Sequence, residues 1–221
     1  LGVELPDTAA TLLIKEINIY DEHRVRVDSI YSRLVPRGAK SGFFVDQINV
    51  LLIPRVYDVE IALTALPGGE RMVKKLKIDL LEYADDRKMV SDLVKASLID
   101  DGWTAVKFAK PSKTRLIPLP LRATSVAQPI FFYHEVYNLG LNEEGNHRIK
   151  TKYRIVEKIS KKEQLVDFVE KIEEDIGTTA YVAVKYHPMN LPPGQYLVVA
   201  ETQDLILGQT FYSMLEFALK D

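Results

Sequence analysis

The chain reads as an all-β protein: two tandem immunoglobulin-like β-sandwich domains, with a short helical insertion near residues 161–176 of the second. Three observations predict this. Apolar and polar residues alternate with period two through much of the sequence, as in strands with one wet face. Turns bearing Pro and Gly, such as Pro67-Gly68-Gly69 and Pro192-Pro193-Gly194, separate those runs. The length of 221 residues also accommodates two sandwiches of about 100 residues each.

In the first half, Leu13, Ile17 and Ile19 mark one strand. Over His23–Leu34, Val25, Val27, Ser29 and Tyr31 share a face opposite Arg24, Arg26 and Asp28. Val59, Ile61, Leu63 and Ala65 then alternate up to Pro67-Gly68-Gly69. Beyond that turn Leu76, Ile78 and Leu80 oppose Lys75, Lys77 and Asp79, which predicts a β-hairpin. Between Asp85 and Pro120 the spacing of Met89, Val90, Leu93, Val94, Ser97 and Leu98 fits one face of a connecting helix. Pro111, Pro118 and Pro120 then hold the chain extended. The domain boundary is placed there, giving an N-terminal sandwich with its connector over 1–115 and a C-terminal sandwich over 116–221.

The second half opens on Ile130–Leu139, with aromatic residues on both faces as in a strand buried on two sides. The turn Asn142–Asn146 leads to a return strand over His147–Ile159, read as a second hairpin. Ser160 and Glu163 have capping-box spacing, and Leu165, Phe168, Val169, Ile172 and Ile176 follow at helical spacing before Gly177. These predict an amphipathic helix of roughly four turns. Strands over Tyr181–Tyr186, Gln195–Glu201 and Gln209–Leu219 complete the domain.

Composition narrows the function. Hydrophobic content of 47% with 27% charged residues is that of a globular chain. With 29 basic and 31 acidic residues interleaved, there is no basic stripe to release counterions from nucleic acid, so no nucleic-acid partner is expected. The chain has no cysteine, which removes disulfides, thiolate metal sites and thiol nucleophiles. The longest apolar clusters, such as Val50–Ile53, have strand length, so no transmembrane helix is expected. The chain starts at Leu1 rather than Met, the expectation being a processed or partial form of a longer precursor.

No catalytic, cofactor-binding or metal-binding residue is assigned. His23, His134, His147 and His187 are scattered and lack ligand spacing. His134 and Glu135 point to opposite faces of their strand. Asp85-Asp86 and Asp100-Asp101 lack the spacing of a calcium loop. Glu135 and Glu201, both on aromatic-rich strands, are the one carboxylate pair worth testing for glycoside hydrolysis. The aromatic residues Phe131, Phe132, Tyr133 and Tyr137, with Tyr153, Tyr181, Tyr186, Tyr196, Phe211 and Tyr212, serve either a core or a ring platform for sugars, and core is preferred.

The string Phe132-Tyr-His-Glu-Val-Tyr-Asn-Leu139 and the later Tyr153-Arg-Ile are similar to the β-sandwich region of GWxTD domain-containing bacterial proteins. So are Leu191-Pro-Pro-Gly-Gln-Tyr196, Asp204-Leu-Ile-Leu-Gly208 and Val90-Ser-Asp-Leu93, the resemblance spanning roughly residues 60–221. The name-giving motif is not reproduced, since Gly102-Trp103-Thr104 carries Thr directly after Trp. The resemblance implies an exported, periplasmic or cell-surface module without catalytic activity. The expected function is thus a structural or protein-interaction module with protein partners in an assembly, compatible with a homo-oligomer. A carbohydrate-binding accessory module is the alternative, and a hydrolase using a carboxylate pair comes third.

Overall fold

A computed structural model of the chain describes residues 2–4, 12–35, 43–80, 82, 89–100, 108–110, 114–121, 123–159 and 162–221. Among them the elements are strands, with no α-helix and one 3-10 turn at Pro188–Asn190. The chain falls into two compact units, Leu1–Tyr83 and Ala84–Asp221. The division therefore lies well before residue 115. Strands from the stretch read as a connector pair within the second unit, which is why it belongs there.

In the first unit, β1 (Gly2–Glu4) pairs with β4 (Phe43–Val45). The main sheet runs β3–β2–β5–β6, formed by β2 (Leu12–Tyr20), β3 (Arg26–Leu34), β5 (Val56–Leu66) and β6 (Arg71–Asp79). The β5–β6 hairpin forms as its alternation predicts, with Gly69 at φ 73° in the turn, a conformation that favours glycine. Ile17, Ile19, Tyr57, Val59 and Ile61 form the buried face, and Ile48 and Leu52 pack on it. Lys15 lies on that same face, almost fully buried, and is paired with Asp46. In β3 the face turned inward differs from the expected one. The register sets Ile30 opposite the buried Ile17, which leaves Val27 and Tyr31 exposed on the other side.

The second unit is a two-layer sandwich. One layer orders β14–β11–β8–β9, formed by β8 (Val94–Asp100), β9 (Arg115–Pro118), β11 (Ile130–Tyr137) and β14 (Ala180–Tyr186). The two-residue β7 (Met89–Val90) also pairs with β11. The other layer orders β10–β16–β15–β12–β13, formed by β10 (Ala123–Ser125), β12 (Asn146–Ile159), β13 (Lys162–Ile176), β15 (Gly194–Asp204) and β16 (Thr210–Lys220). Ile130, Phe132 and Val136 of one layer meet Tyr153, Tyr196, Val198 and Phe217 of the other in a single core. Phe132 lies edge-on to Phe217, their ring centroids 5.6 Å apart, a favourable aromatic arrangement.

Three sequence expectations are corrected here. The segment 162–176 is the strand β13, hydrogen-bonded to β12, and not a helix. A bulge places Val166 outside the pairing between Asp167 and Leu165, so Leu165 and Phe168 stand three apart on the outer face. Ile172 and Ile176 follow at steps of four along the regular strand, with Glu170 and Glu174 between, and the apolar positions together imitate helical spacing. The stretch from Met89 to Leu98 likewise forms β7 and β8, because β11 offers it a pairing edge. Finally, β11 and β12 do not form a hairpin. The turn Asn142–Asn146, closed by Asn142 Oδ1 accepting from the Glu144 and Asn146 amides, carries the chain from one layer to the other.

Candidate interaction surface

The polar residues inside the sandwich satisfy one another. His134 points into the core, where its Nε2 lies 3.0 Å from Thr202 Oγ1 and its Nδ1 lies 3.2 Å from the Tyr153 hydroxyl. Thr151 Oγ1 is 3.0 Å from Thr202 Oγ1 and extends the chain of hydrogen bonds. Burial pulls the imidazole pKa down to about 4, against a smaller opposing effect of the Glu135 charge, so the ring is neutral at pH 7. Burial likewise drives the Tyr153 hydroxyl pKa upward. Asp204, also buried, closes the turn toward β16. Its Oδ1 accepts from the Ile206 and Leu207 amides and its Oδ2 from the Gly140 amide at 2.8 Å. That close approach needs glycine, since a Cβ on Gly140 would come within 2.5 Å of the Leu207 side chain.

On the opposite face of β11, Glu135 accepts hydrogen bonds from Tyr137 Oη at 2.7 Å, Tyr133 Oη at 3.0 Å and Lys110 Nζ at 3.0 Å. Burial pushes the carboxyl pKa up. The three donors and the lysine charge outweigh that, and the net shift is below the ordinary carboxylate value. Glu201 sits across the sandwich on the outer face of the other layer, where Arg154 Nη2 holds it at 3.1 Å. The carboxylate pair considered for hydrolysis is therefore not brought together. His147 Nδ1 lies 2.7 Å from the Gly177 carbonyl, and His23 and His187 are exposed. Asp100 pairs with Arg115, while Asp85, Asp86 and Asp101 lie outside the described residues. Among the described residues no cluster of His, Cys, Asp and Glu could hold a metal, and no helix is long and apolar enough to cross a membrane.

A groove of about 660 Å³ runs along one side of the sandwich, lined by Leu93, Lys95, Leu119, Leu215 and Phe217 among others. Its one lysine is committed internally. Lys95 Nζ donates to the Leu121 carbonyl at 2.8 Å and Thr124 Oγ1 at 3.3 Å.

The surface without an internal explanation is the outer face at β13. Leu165, Phe168, Ile172 and Ile176 are each more than half exposed, Ile176 at 80%. Beside them the outward residues of β12 form a basic row, Arg148, Lys150, Lys152 and Arg154. Lys150 Nζ pairs with Glu170 at 3.1 Å, Lys152 lies over the Phe168 ring at 5.1 Å, and Arg148 reaches Glu174 at 3.8 Å. Farther across the sheet Met214 and Tyr212 are also exposed. No described strand pairs with the outer edge of β13. A helical reading hides this surface, because it gathers those four apolar side chains into one stripe of an amphipathic helix instead of setting them along a sheet edge. The alternating basic residues on β12, opposed by the unlike charges of Glu170 and Glu174, are the signal that would have found the strand pairing.

No protein-family model and no curated protein matches the chain. Among solved structures, the chain is similar to a tetra-tandem repeat from the extending region of a large adhesion protein, with 11% identity and a TM-score of 0.33. That alignment covers 97% of this chain and 43% of the other, so the chain spans less than half the length of that structure.

Proposed function

We propose that this chain is a non-catalytic structural or protein-interaction module of an extracytoplasmic or multi-subunit assembly, built on tandem immunoglobulin-like domains. The observation that carries the proposal is the outer face of β13, where exposed apolar side chains alternate with acids on a sheet edge that no described strand pairs. Exposed edges and exposed apolar residues along them are features that soluble monomers suppress and assembly subunits use. The chemistry elsewhere supports it, since the buried His134 and Glu135 are each consumed by partners within the fold. Of the rings considered for a sugar platform, Phe132, Tyr133, Tyr153, Tyr186 and Tyr196 are buried, and the exposed Tyr181 and Tyr212 lie on different layers, which disfavours the carbohydrate-binding alternative. The extracytoplasmic placement rests on the resemblance to GWxTD domain-containing proteins.

The test is the native mass of the protein purified from its source without dissociating detergent or salt. The expected result is a complex well above the 25.1 kDa chain, with co-purifying partners that are lost when Phe168→Ser and Ile172→Ser are combined. A clean monomer from the source would sink the proposal.

A further inference from the structure

We infer that two copies of this chain associate edge to edge, the basic strand β6 of one copy pairing with the acidic strand β13 of another. The inference rests on the assembly reading above and names one partner for it.

Both strands end their sheets among the described residues. Strand β6 spans nine residues and carries Arg71, Lys74, Lys75 and Lys77 against a single acid, Asp79. Every residue of it except Leu76 is exposed. Past its bulge, the regular run of β13 from Asp167 to Ile176 is of similar length. It carries the reverse set, Asp167, Glu170, Glu173, Glu174 and Asp175 against a single base, Lys171. Among the described residues Lys74 and Lys77 enter no ion pair. Lys75 holds Glu60 and Glu170 holds Lys150 only through solvent-exposed pairs, which are weak and exchange readily. Charge on an edge strand opposes pairing with its own kind. Here β6 repels β6 and β13 repels β13, and the unlike combination is left as the attractive one. The other edges of the larger sheets do not offer this match: β3 mixes Arg26, Asp28 and Arg33, β14 has Lys185 and β9 has Arg115 as the one charge, and the three-residue β10 has none.

The side chains also fit an extended sheet. In β6, Arg71, Val73, Lys75 and Lys77 share the face that carries Glu60 on the neighbouring strand. In β13, Phe168, Glu170, Ile172 and Glu174 share the outer face. An antiparallel register that sets Lys75 against Glu170 also sets Arg71 against Glu174, Val73 against Ile172 and Lys77 against Phe168. On the reverse face the same register sets Leu76 against Val169 and puts Lys74 opposite Lys171, with Glu173 diagonal to it. Three favourable charged or cation–ring pairs and two apolar pairs thus stand against that like-charge pair and two apolar–acidic pairs, Met72 with Glu173 and Ile78 with Asp167.

The experiment measures the mass of the purified full chain alone, by sedimentation at about 0.5 mM protein, in roughly 20 mM and then roughly 500 mM salt. At low salt the expected mass is twice the 25.1 kDa chain or more, with association weakened on the order of tenfold at high salt. Two charge-reversed proteins are then compared, one with Lys74→Glu, Lys75→Glu and Lys77→Glu, the other with Glu170→Lys, Glu173→Lys and Glu174→Lys. Each alone should be monomeric, and an equimolar mixture should associate, because the mixture restores opposite charges at the facing edges. If a reversed protein fails to fold, the salt dependence of the unmodified chain decides, and association that is unchanged or strengthened by salt overturns the inference. So does a monomer at low salt, or reversed proteins that still self-associate. A purified chain that is monomeric while the source complex remains heavy would end this inference and leave the assembly reading standing.

Discussion

His134 and Glu135 are consecutive residues on one strand, and the fold treats them in opposite ways. The pleat sends His134 into the closed core between the two layers and Glu135 to the back of its own sheet. Both are buried, yet the imidazole is held neutral while the carboxylate is held ionised. The difference lies in what each side supplies. The core offers His134 hydroxyl partners, and the opposing effect of the Glu135 charge is smaller than the cost of burial, so desolvation wins. The back of the sheet offers Glu135 two phenols and an ammonium, which together exceed the cost of burial. Burial alone therefore does not set a residue's charge state. The donors within reach do.

The largest expected effect separates the same two faces through their neighbouring phenylalanines. Phe132 is fully buried and touches Tyr153, Tyr186 and Phe217, so Phe132→Ala should cost about 4 kcal/mol of unfolding free energy. Phe131 is only partly buried, under Lys185 at 5.9 Å, and Phe131→Ala should cost about 1–2 kcal/mol. Urea denaturation of both variants checks the pair, and equal losses would mean that the two faces are equally well packed.

The next effect is on pH dependence. The unfolded imidazole titrates near 6.5 and the folded one near 4, so the unfolded state binds the extra proton between those values. Stability should consequently fall as pH drops from 6.5 to 4, by about 3 kcal/mol from this residue. His134→Gln keeps polar groups for Thr202 and Tyr153 without a titration, and should flatten the stability curve over that window. A slope unchanged in the variant would assign the pH dependence elsewhere. Glu135→Gln acts on the other face and at lower pH. It removes a charge from three donors, but Lys110 is one-third exposed, so the ion pair is partly screened and the loss at pH 7 should be about 2 kcal/mol.

How much of this was legible follows the same logic of faces. The β5–β6 hairpin could be read because its period-two pattern is unbroken and Pro67-Gly68-Gly69 can only turn. The direction of β3 could not, since Val27 and Tyr31 alternate as well as Ile30 does, and only pairing with β2 decides which set is buried. The β11–β12 turn misled for a similar reason. An Asn- and Gly-rich turn has the same local chemistry whether the returning strand pairs with its predecessor or stacks across from it. The opposition of His134 and Glu135 was visible from alternation alone, but their partners were not. Thr202 and Lys110 lie 68 and 25 positions away in the chain. The exposed row on β13 was the least legible feature, because an apolar side chain in a sequence predicts burial, and a step of three across the bulge at Val166 followed by steps of four along the strand reads as helical spacing.

The smallest effect tests whether donors, rather than the lysine alone, keep Glu135 ionised. Tyr137 Oη at 2.7 Å makes the shortest of its three hydrogen bonds and ranks first among the influences that lower its pKa. Tyr137→Phe removes that donor and little volume, so the loss at pH 7 should be about 1 kcal/mol. The sign of the pH effect is fixed by linkage. A carboxylate whose folded pKa lies below its unfolded value adds stability above the unfolded pKa and loses it as pH falls through the folded one. Without the phenol the folded pKa of Glu135 rises, the gap to the unfolded value narrows, and less stability remains to be lost on acidification below pH 4.5. Acid titrations of the unfolding free energy should therefore converge, the variant lying below the parent at pH 7 and approaching it as the carboxylate protonates. Parallel curves would mean that Lys110 and Tyr133 alone set the charge of Glu135, and that the third donor merely packs against it.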